Sequence, residues 1–328
     1  MPETLKEKFY RTAETIKSSN HILIAGHTNP DGDSIGSMLG LYGAIKESMG
    51  KEVLLYSADP VPASLRFLPG ADVITPKIKW YPDLIIGVDY GDFHRLSIPH
   101  EMTDGAQIIT FDHHPFNKQR GDIKIIETGF SSTAELIFAF LRTVEWKISE
   151  ETATCLLTGI FTDTGGFVHA TSPNTLEAAA ELMKLGAPIQ KIYSETFAGK
   201  TQKILNVWGE FLGKIEIFPE YGLGAIFIPF DEFKKSGIIL EDFTGLISML
   251  NLIEETKFSI FAIEYESGKI KGSLRSDKFK EVDVSKIAKL LGGGGHKYAA
   301  GFDIEASGMT EGREKILNAV KKEFRQEE

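Results

Sequence analysis

The sequence predicts an α/β fold: an N-terminal, mostly parallel sheet flanked by helices, followed by a smaller mixed α/β domain. Three observations predict it. Short apolar runs at Ile22 to Ala25, Val53 to Tyr56, Asp83 to Val88 and Gln107 to Phe111 read as buried strands. Segments with apolar residues at helical spacing alternate with them, the order expected of a parallel sheet. Three of these runs end in polar residues of metal-binding type, where such sheets keep their ligand crevice.

Each element follows from local chemistry. Leu5, Phe9, Ala13 and Ile16 line one face of an N-terminal helix. The strand ending at Ala25 leads into His27-Thr28-Asn29-Pro30-Asp31-Gly32-Asp33-Ser34, and Ile35, Met38, Leu39, Tyr42, Ile45 and Met49 then repeat at helical spacing. Pro30 and Gly32 impose an irregular backbone on that loop. Pro62 to Leu68 reads as a brief helix closed by Pro69-Gly70, and Lys124 to Ile126 as a fifth strand. Ser131 or Ser132 caps a helix running to about Val144. A further helix, Glu150 to Phe161, delivers Thr162-Asp163-Thr164-Gly165-Gly166, and another, Asn174 to Leu185, stops at Gly186. The more polar helical stretch 188–212 reads as the connection between a domain at 1–187 and a second at 213–328. In that second domain 224–228, 258–265 and 270–275 read as strands, and 246–252, 284–291 and 310–324 as helices. Gly292-Gly293-Gly294-Gly295 is open to two readings: a flexible turn after a helix, or a backbone that lets successive N–H groups approach an anion.

Composition narrows the function classes. At 328 residues, 42% hydrophobic and 25% charged, the chain is long enough for two cores. Its net charge of −10 shows no basic stripe of the kind that tracks long nucleic acid. Phosphate chemistry here is therefore expected at a local site, on short substrates, with metal ions supplying positive charge. The single cysteine, Cys155, sits in an apolar segment and is expected to be a buried, inert thiol. No run is long and apolar enough to cross a bilayer, and the N-terminus reads as a polar helix rather than a signal peptide, so a cytoplasmic location is expected.

His27, Asp31, Asp33, Asp89, His113, His114 and Asp163 all fall at the expected crevice. Four aspartates converging there repel one another. At ~4 Å and an effective dielectric of about 20, each like-charged pair costs on the order of 4 kcal/mol. Two divalent cations balance four carboxylates, with at least one aspartate bridging. Oxygen and imidazole donors without sulfur suit Mn2+ or Mg2+, with Zn2+ or Fe2+ as further options. The competing reading for the first loop is structural: Asp33 or Ser34 caps the helix and His27 bonds the backbone. His94 and Arg95 read as structural or surface residues.

The order of these motifs resembles the DHH superfamily of phosphoesterases. His27 to Ser34 is similar to its first motif, Val88-Asp89 to the second, Asp112-His113-His114 to the motif that names it, and Thr162-Asp163-Thr164-Gly165 to the fourth. Gly292 to His296, with Ala299-Ala300-Gly301-Phe302 after it, resembles the DHH-associated C-terminal domain of the nuclease branch. The resemblance implies one ion on His27, Asp31 and Asp89, and another on Asp33, Asp89, His113 and Asp163. It implies that Asp112 orients a neighbouring histidine, and that His114 contacts the scissile phosphate. Arg275, His296 and the backbone of Gly293, Gly294 and Gly295 would hold a second phosphate. The chain departs from the pattern at Val168, where many members carry an arginine; His169 is the candidate substitute. The compact two-domain type resembles nano-RNases. This implies short oligonucleotides and linear dinucleotides such as pApA, 3′-phosphoadenosine 5′-phosphate, or cyclic di-adenosine monophosphate as substrate, and no membrane partner. A sensor that binds a dinucleotide without cleaving it is the non-enzymatic alternative. The sequence leaves oligomeric state open, a homodimer included.

Overall fold

The structure, a computed structural model, describes residues 3–114, 120–169, 171–243, 245–277 and 279–324, without the side chains of Glu241 and His296. The chain divides into two compact units, Met1–Ala198 and Gly199–Glu328. No described helix is long and apolar enough to cross a membrane.

The first unit runs α1 (Leu5–Ser18), β1 (Ile22–Ala25), α2 (Gly32–Met49), β2 (Val53–Tyr56), β3 (Leu84–Val88), β4 (Gln107–Asp112), β5 (Ile123–Ile126), α3 (Thr133–Thr143), α4 (Glu150–Asp163), α5 (Pro173–Lys184) and α6 (Ile189–Tyr193). Its five strands pair in parallel in the order β2-β1-β3-β4-β5. The order reverses between β1 and β3, and the crevice beside such a reversal is where open α/β sheets bind ligands. Every residue of β1 and β3 is buried, as continuous apolar strands require. Ile22, Ile24, Leu84, Ile86, Val88 and Phe111 pack with the helices. Leu23, Ala25, Ile85 and Ile108 pack instead with Tyr56, Tyr90, Phe93 and Leu96. The brief helix expected at 62–68 is a 3-10 turn, Ala63–Leu65, and a second such turn spans Ala71–Val73. Leu65 and Ala71 are buried and hold these turns to the unit.

Close packing of α2 on α4 positions the crevice. Gly32, Gly36, Gly40 and Gly43 form a stripe along α2. A Cβ added at each would fall 2.2 Å from Thr162 Oγ1, 2.5 Å from the Cys155 carbonyl oxygen, 2.4 Å from Leu156 Cδ2 and 2.4 Å from Thr152 Oγ1. At Gly36 the helices touch backbone to backbone, and at the other three glycines side chains of α4 take the space a Cβ would need, as happens at close helix crossings. Gly159 repays the contact from α4: a Cβ there would lie 2.9 Å from Asp33 Oδ1. The start of α2 and the end of α4 are brought together, and with them Asp33 and Asp163.

The second unit contains α7 (Gln202–Leu212), β6 (Glu216–Phe218), β7 (Leu223–Ile228), α8 (Phe230–Ser236), α9 (Leu246–Leu250), β8 (Phe258–Glu266), β9 (Lys269–Ser276), α10 (Val284–Leu290), β10 (Gly294–His296), β11 (Ala299–Glu305) and α11 (Met309–Phe324). Its six-stranded mixed sheet has the order β10-β11-β9-β8-β7-β6. Ile226, Ile228, Phe261 and Ile263 pack with α7 and α9, while Ile260, Leu274, Ala300 and Phe302 pack with α10 and α11. The stretch 188–212 thus holds α6 in the first unit and α7 in the second, where Ile204, Val207, Trp208 and Phe211 join the core. The glycine run is not a flexible turn. Gly294–His296 pairs antiparallel with Ala299–Gly301, and a Cβ at Gly293 would fall 2.1 Å from the Gly301 carbonyl oxygen.

Candidate metal centre

β1, β3 and β4 each deliver a functional residue just beyond their carboxyl ends, and α2 and α4 supply the rest. After β1, Thr28 N–H donates to the Arg95 carbonyl at 2.7 Å and fixes the loop. The His27 Nδ1 atom lies 2.7 Å from the Thr28 carbonyl oxygen. Its Nε2 atom faces Asp31 Oδ2 at 3.7 Å and Asp89 Oδ2 at 3.6 Å. Asp31 is the N-cap of α2, its Oδ1 accepting from the Asp33 and Ser34 N–H groups at 3.1 and 3.0 Å. The cap is therefore neither Asp33 nor Ser34. One oxygen of Asp31 caps while the other faces His27, so the structural and the ligand readings hold at once. Among the described residues, Ser34 Oγ is buried without a hydrogen-bond partner.

Asp33 points into the start of α3. Its Oδ2 accepts from Thr133 N–H at 2.7 Å and its Oδ1 from Ala134 N–H at 2.9 Å, where the helix dipole favours an anion. Thr133 Oγ1 donates to Asp89 Oδ1 at 3.2 Å. Asp89 ends β3 in a left-handed conformation, φ 54°, which aspartate tolerates better than most residues. Asp163 closes α4. Thr164 follows as its cap, with Gly165 and Gly166 both at positive φ, so the helix stops as the carboxylate reaches the crevice. His113 Nε2 faces Asp163 Oδ2 at 3.4 Å, Asp89 Oδ1 at 3.8 Å and Asp33 Oδ2 at 3.9 Å.

Asp112 is fully buried. Its Oδ1 accepts from His114 N–H at 2.9 Å and lies 2.9 Å from His114 Nδ1, while its Oδ2 accepts from Gly91 N–H at 2.8 Å. One carboxylate thus orients His114 and ties β4 to the turn after Asp89.

Electrostatics follow from this crowding. Burial, then the charges of Asp89, Asp163 and Asp31, push the Asp33 carboxyl well above the ordinary carboxylate range. Burial by itself would lower His27, but its contacts with Asp31 and Asp89 prevail and hold the imidazole at about 10. Burial would likewise lower His114, and the hydrogen bond to Asp112 raises it instead to about 9. His113 is pushed down, chiefly by burial. Cys155 is buried and its thiol is pushed up to about 12 by burial, as expected of an inert sulfhydryl.

The donors suit hard divalent cations. His27, Asp31 and Asp89 form one group whose ligand atoms all lie within 4.8 Å of one another. Asp33, His113 and Asp163 form a second, and Asp89, His113 and His114 a third. Burial first, and then the neighbouring carboxylates, raise the Asp33 carboxyl, and a cation beside it would offset both. These acidic and histidine groups are positioned for metal binding.

The remaining predicted residues lie in the second unit. Arg275 sits in β9 opposite Ser259 and Ala299, with Nη1 donating to the Leu274 carbonyl at 2.9 Å. Gly294 and Gly295 lie in β10, with Gly293 immediately before it; the side chain of His296 lies outside the described residues. Val168 is exposed, and His169 N–H donates to the Thr164 carbonyl at 2.8 Å. Arg95, read from sequence as structural or surface, borders the centre: its Nη2 lies 3.0 Å from His27 Nδ1. Its sequence distance from His27 concealed this.

Residues 21–160 match the DHH family, N-terminal domain, and residues 233–326 the DHHA1 domain. The bifunctional oligoribonuclease and PAP phosphatase NrnA of Thermus thermophilus is 33% identical over 325 residues, covering 97% of this chain and 95% of that relative. Its namesake in Bacillus subtilis is 27% identical over 294 residues, covering 88% and 91%. The crystal structure of an exopolyphosphatase-related protein from Bacteroides fragilis matches with a TM-score of 0.86 at 27% identity, covering 96% of both chains. This chain, with its acidic crevice and its second mixed sheet, belongs to the DHH family of phosphoesterases, in the group that carries a DHHA1 domain.

Proposed function

We propose that the chain hydrolyses short oligoribonucleotides and linear dinucleotides of the pApA type to nucleoside monophosphates, and removes a phosphate from 3′-phosphoadenosine 5′-phosphate. The observation that carries this reading is the meeting of His27, Asp31, Asp33, Asp89, His113 and Asp163 in one crevice of a chain 33% identical to a bifunctional enzyme of that description. His27, Asp31 and Asp89 would hold one divalent cation, and Asp33, Asp89, His113 and Asp163 a second. Mn2+ is the preferred ion in this reading, with Mg2+ as the alternative. Bound there, the ions would polarise the phosphoryl group and acidify the attacking water.

The protein's own groups do the positioning. Asp89 faces His27 and His113 together, so it is the shared carboxylate. Asp112 fixes the His114 ring through Nδ1 and favours its protonated form, so that Nε2–H would donate to a phosphoryl oxygen as charge develops there. In the second unit, Arg275 and the backbone of Gly293 to Gly295 are the candidates for binding a second phosphate, a task suited to a guanidinium fork. A panel of pApA, longer oligomers, cyclic di-adenosine monophosphate and 3′-phosphoadenosine 5′-phosphate, assayed with Mn2+ for mononucleotide and phosphate release, tests the proposal. Turnover of pApA and the bisphosphate supports it. Tight binding of a dinucleotide without product would make the chain a sensor and overturn it.

A further inference from the structure

Arg95 is placed as a ligand-binding residue would be. Its backbone belongs to a 3-10 turn, Phe93–Leu96, capped by Asp92, whose Phe93 and Leu96 side chains are buried. Its carbonyl accepts from Thr28, so the turn is fastened directly to the His27 loop. The guanidinium is exposed, and among the described residues it has no ion-pair partner, although it borders a crevice of four aspartates. Of its five N–H donors, two have contacts: a long one of 3.4 Å from Nη1 to the Tyr90 carbonyl, and Nη2 at 3.0 Å from His27 Nδ1.

That second contact competes with another. His27 Nδ1 also lies 2.7 Å from the Thr28 carbonyl oxygen, which requires a proton on Nδ1. Arg95 requires a lone pair there. When Nε2 serves as a metal ligand through its lone pair, Nδ1 keeps its hydrogen and donates it to Thr28. With Nδ1–H given to Thr28, Arg95 Nη2 has no acceptor on the ring, and a planar cationic fork is left at the rim of the centre with donors to spare.

We propose that Arg95 binds a phosphoryl oxygen of the substrate in the first unit. This rests on the phosphodiesterase reading above. The test measures binding of AMP, the expected product, and of inorganic phosphate to the Mn2+-loaded chain by calorimetry. Mn2+ affinity is measured in parallel on the stripped chain. Arg95→Gln should weaken both anions tenfold or more and raise KM for pApA, with Mn2+ affinity within twofold of the parent. Arg95→Lys should recover part of the anion affinity, since the charge returns without the fork. Unchanged anion affinity in Arg95→Gln overturns the proposal, as does a loss of Mn2+ affinity or melting temperature that fully accounts for the anion loss. If the parent chain binds AMP and phosphate but cleaves neither pApA nor the bisphosphate, the phosphodiesterase reading fails while the Arg95 assignment stands.

Discussion

The two halves of the acidic centre are held in opposite ways. His27 and Asp31 lie on a loop: Asp31 has a side chain 60% exposed, and Asn29 between them sits at φ 52°. Asp33 and His113 are buried, and both oxygens of Asp33 are clamped by backbone N–H groups at the start of α3. In the first half only one oxygen of Asp31 is held by backbone N–H groups, and the other is left to face His27. The second half is fixed before anything binds, because its carboxylate orientation is set by helix geometry and glycine-mediated packing. A preorganised set loses less freedom on binding, so the Asp33 group should hold its ion more tightly than the Asp31 group. Asp89 belongs to both halves, and removing it should disable them together.

The largest effect expected is on turnover. Asp89→Asn, which retains tolerance for the left-handed backbone, and His113→Ala should each lower mononucleotide release from pApA by about a thousandfold or more, the scale expected when metal-ion stabilisation of charge is lost. Circular dichroism should show both variants folded. Retained activity in either would separate the crevice from the chemistry.

Next is the asymmetry itself. Asp31→Ser keeps a side-chain oxygen to cap α2 and removes the carboxylate from His27. The loop-held ion should weaken by roughly a hundredfold while the other is retained, with a melting temperature close to that of the parent. Equal weakening of both ions would abolish the contrast between the halves.

A smaller effect concerns packing. Gly36→Ala drives a Cβ against the Cys155 carbonyl, 2.5 Å away, and backbone cannot yield as a flexible side chain does. Overpacking of this kind costs about 1–3 kcal/mol, offset in part by the better helix propensity of alanine. Denaturant melts should show a net loss, and Mn2+ affinity should fall with it, because Asp33 and Asp163 are carried by the two helices involved.

A further dependence is on pH. Only the folded chain gives His27 its carboxylate partners. The stability this lends is complete below the ordinary imidazole range and is lost as pH climbs through about 10. A cation must displace that proton. Affinity at the Asp31 group should therefore rise by about tenfold per pH unit from pH 6 to 9, with close to one proton released, measurable by calorimetry in buffers of different ionisation enthalpy. A pH-independent affinity would mean that His27 is not displaced by the ion.

Much of this was legible in the sequence because strand and helix periodicities are local. The apolar runs before His27, Asp89 and Asp112 gave the parallel sheet, and the polar residues that end them gave the crevice. What escaped was set by contacts between distant segments. The glycine stripe of α2 has meaning only against α4, and Arg95 meets His27 only because the turn at 93–96 folds under the first loop. The 202–212 helix looked like a connection because its polar face masks the one apolar side that packs on β7 and β8. Gly294 and Gly295 form a strand although glycine disfavours one, because β11 approaches too closely for any Cβ at Gly295.

Counting the ions is the most direct examination of the centre. Equilibrium dialysis of the chelator-stripped chain against Mn2+, followed by elemental analysis, should give two ions per chain, with pApA cleavage appearing as the second is taken up. Cleavage by a chain that holds no ion, or undiminished cleavage when only one is held, would contradict the account.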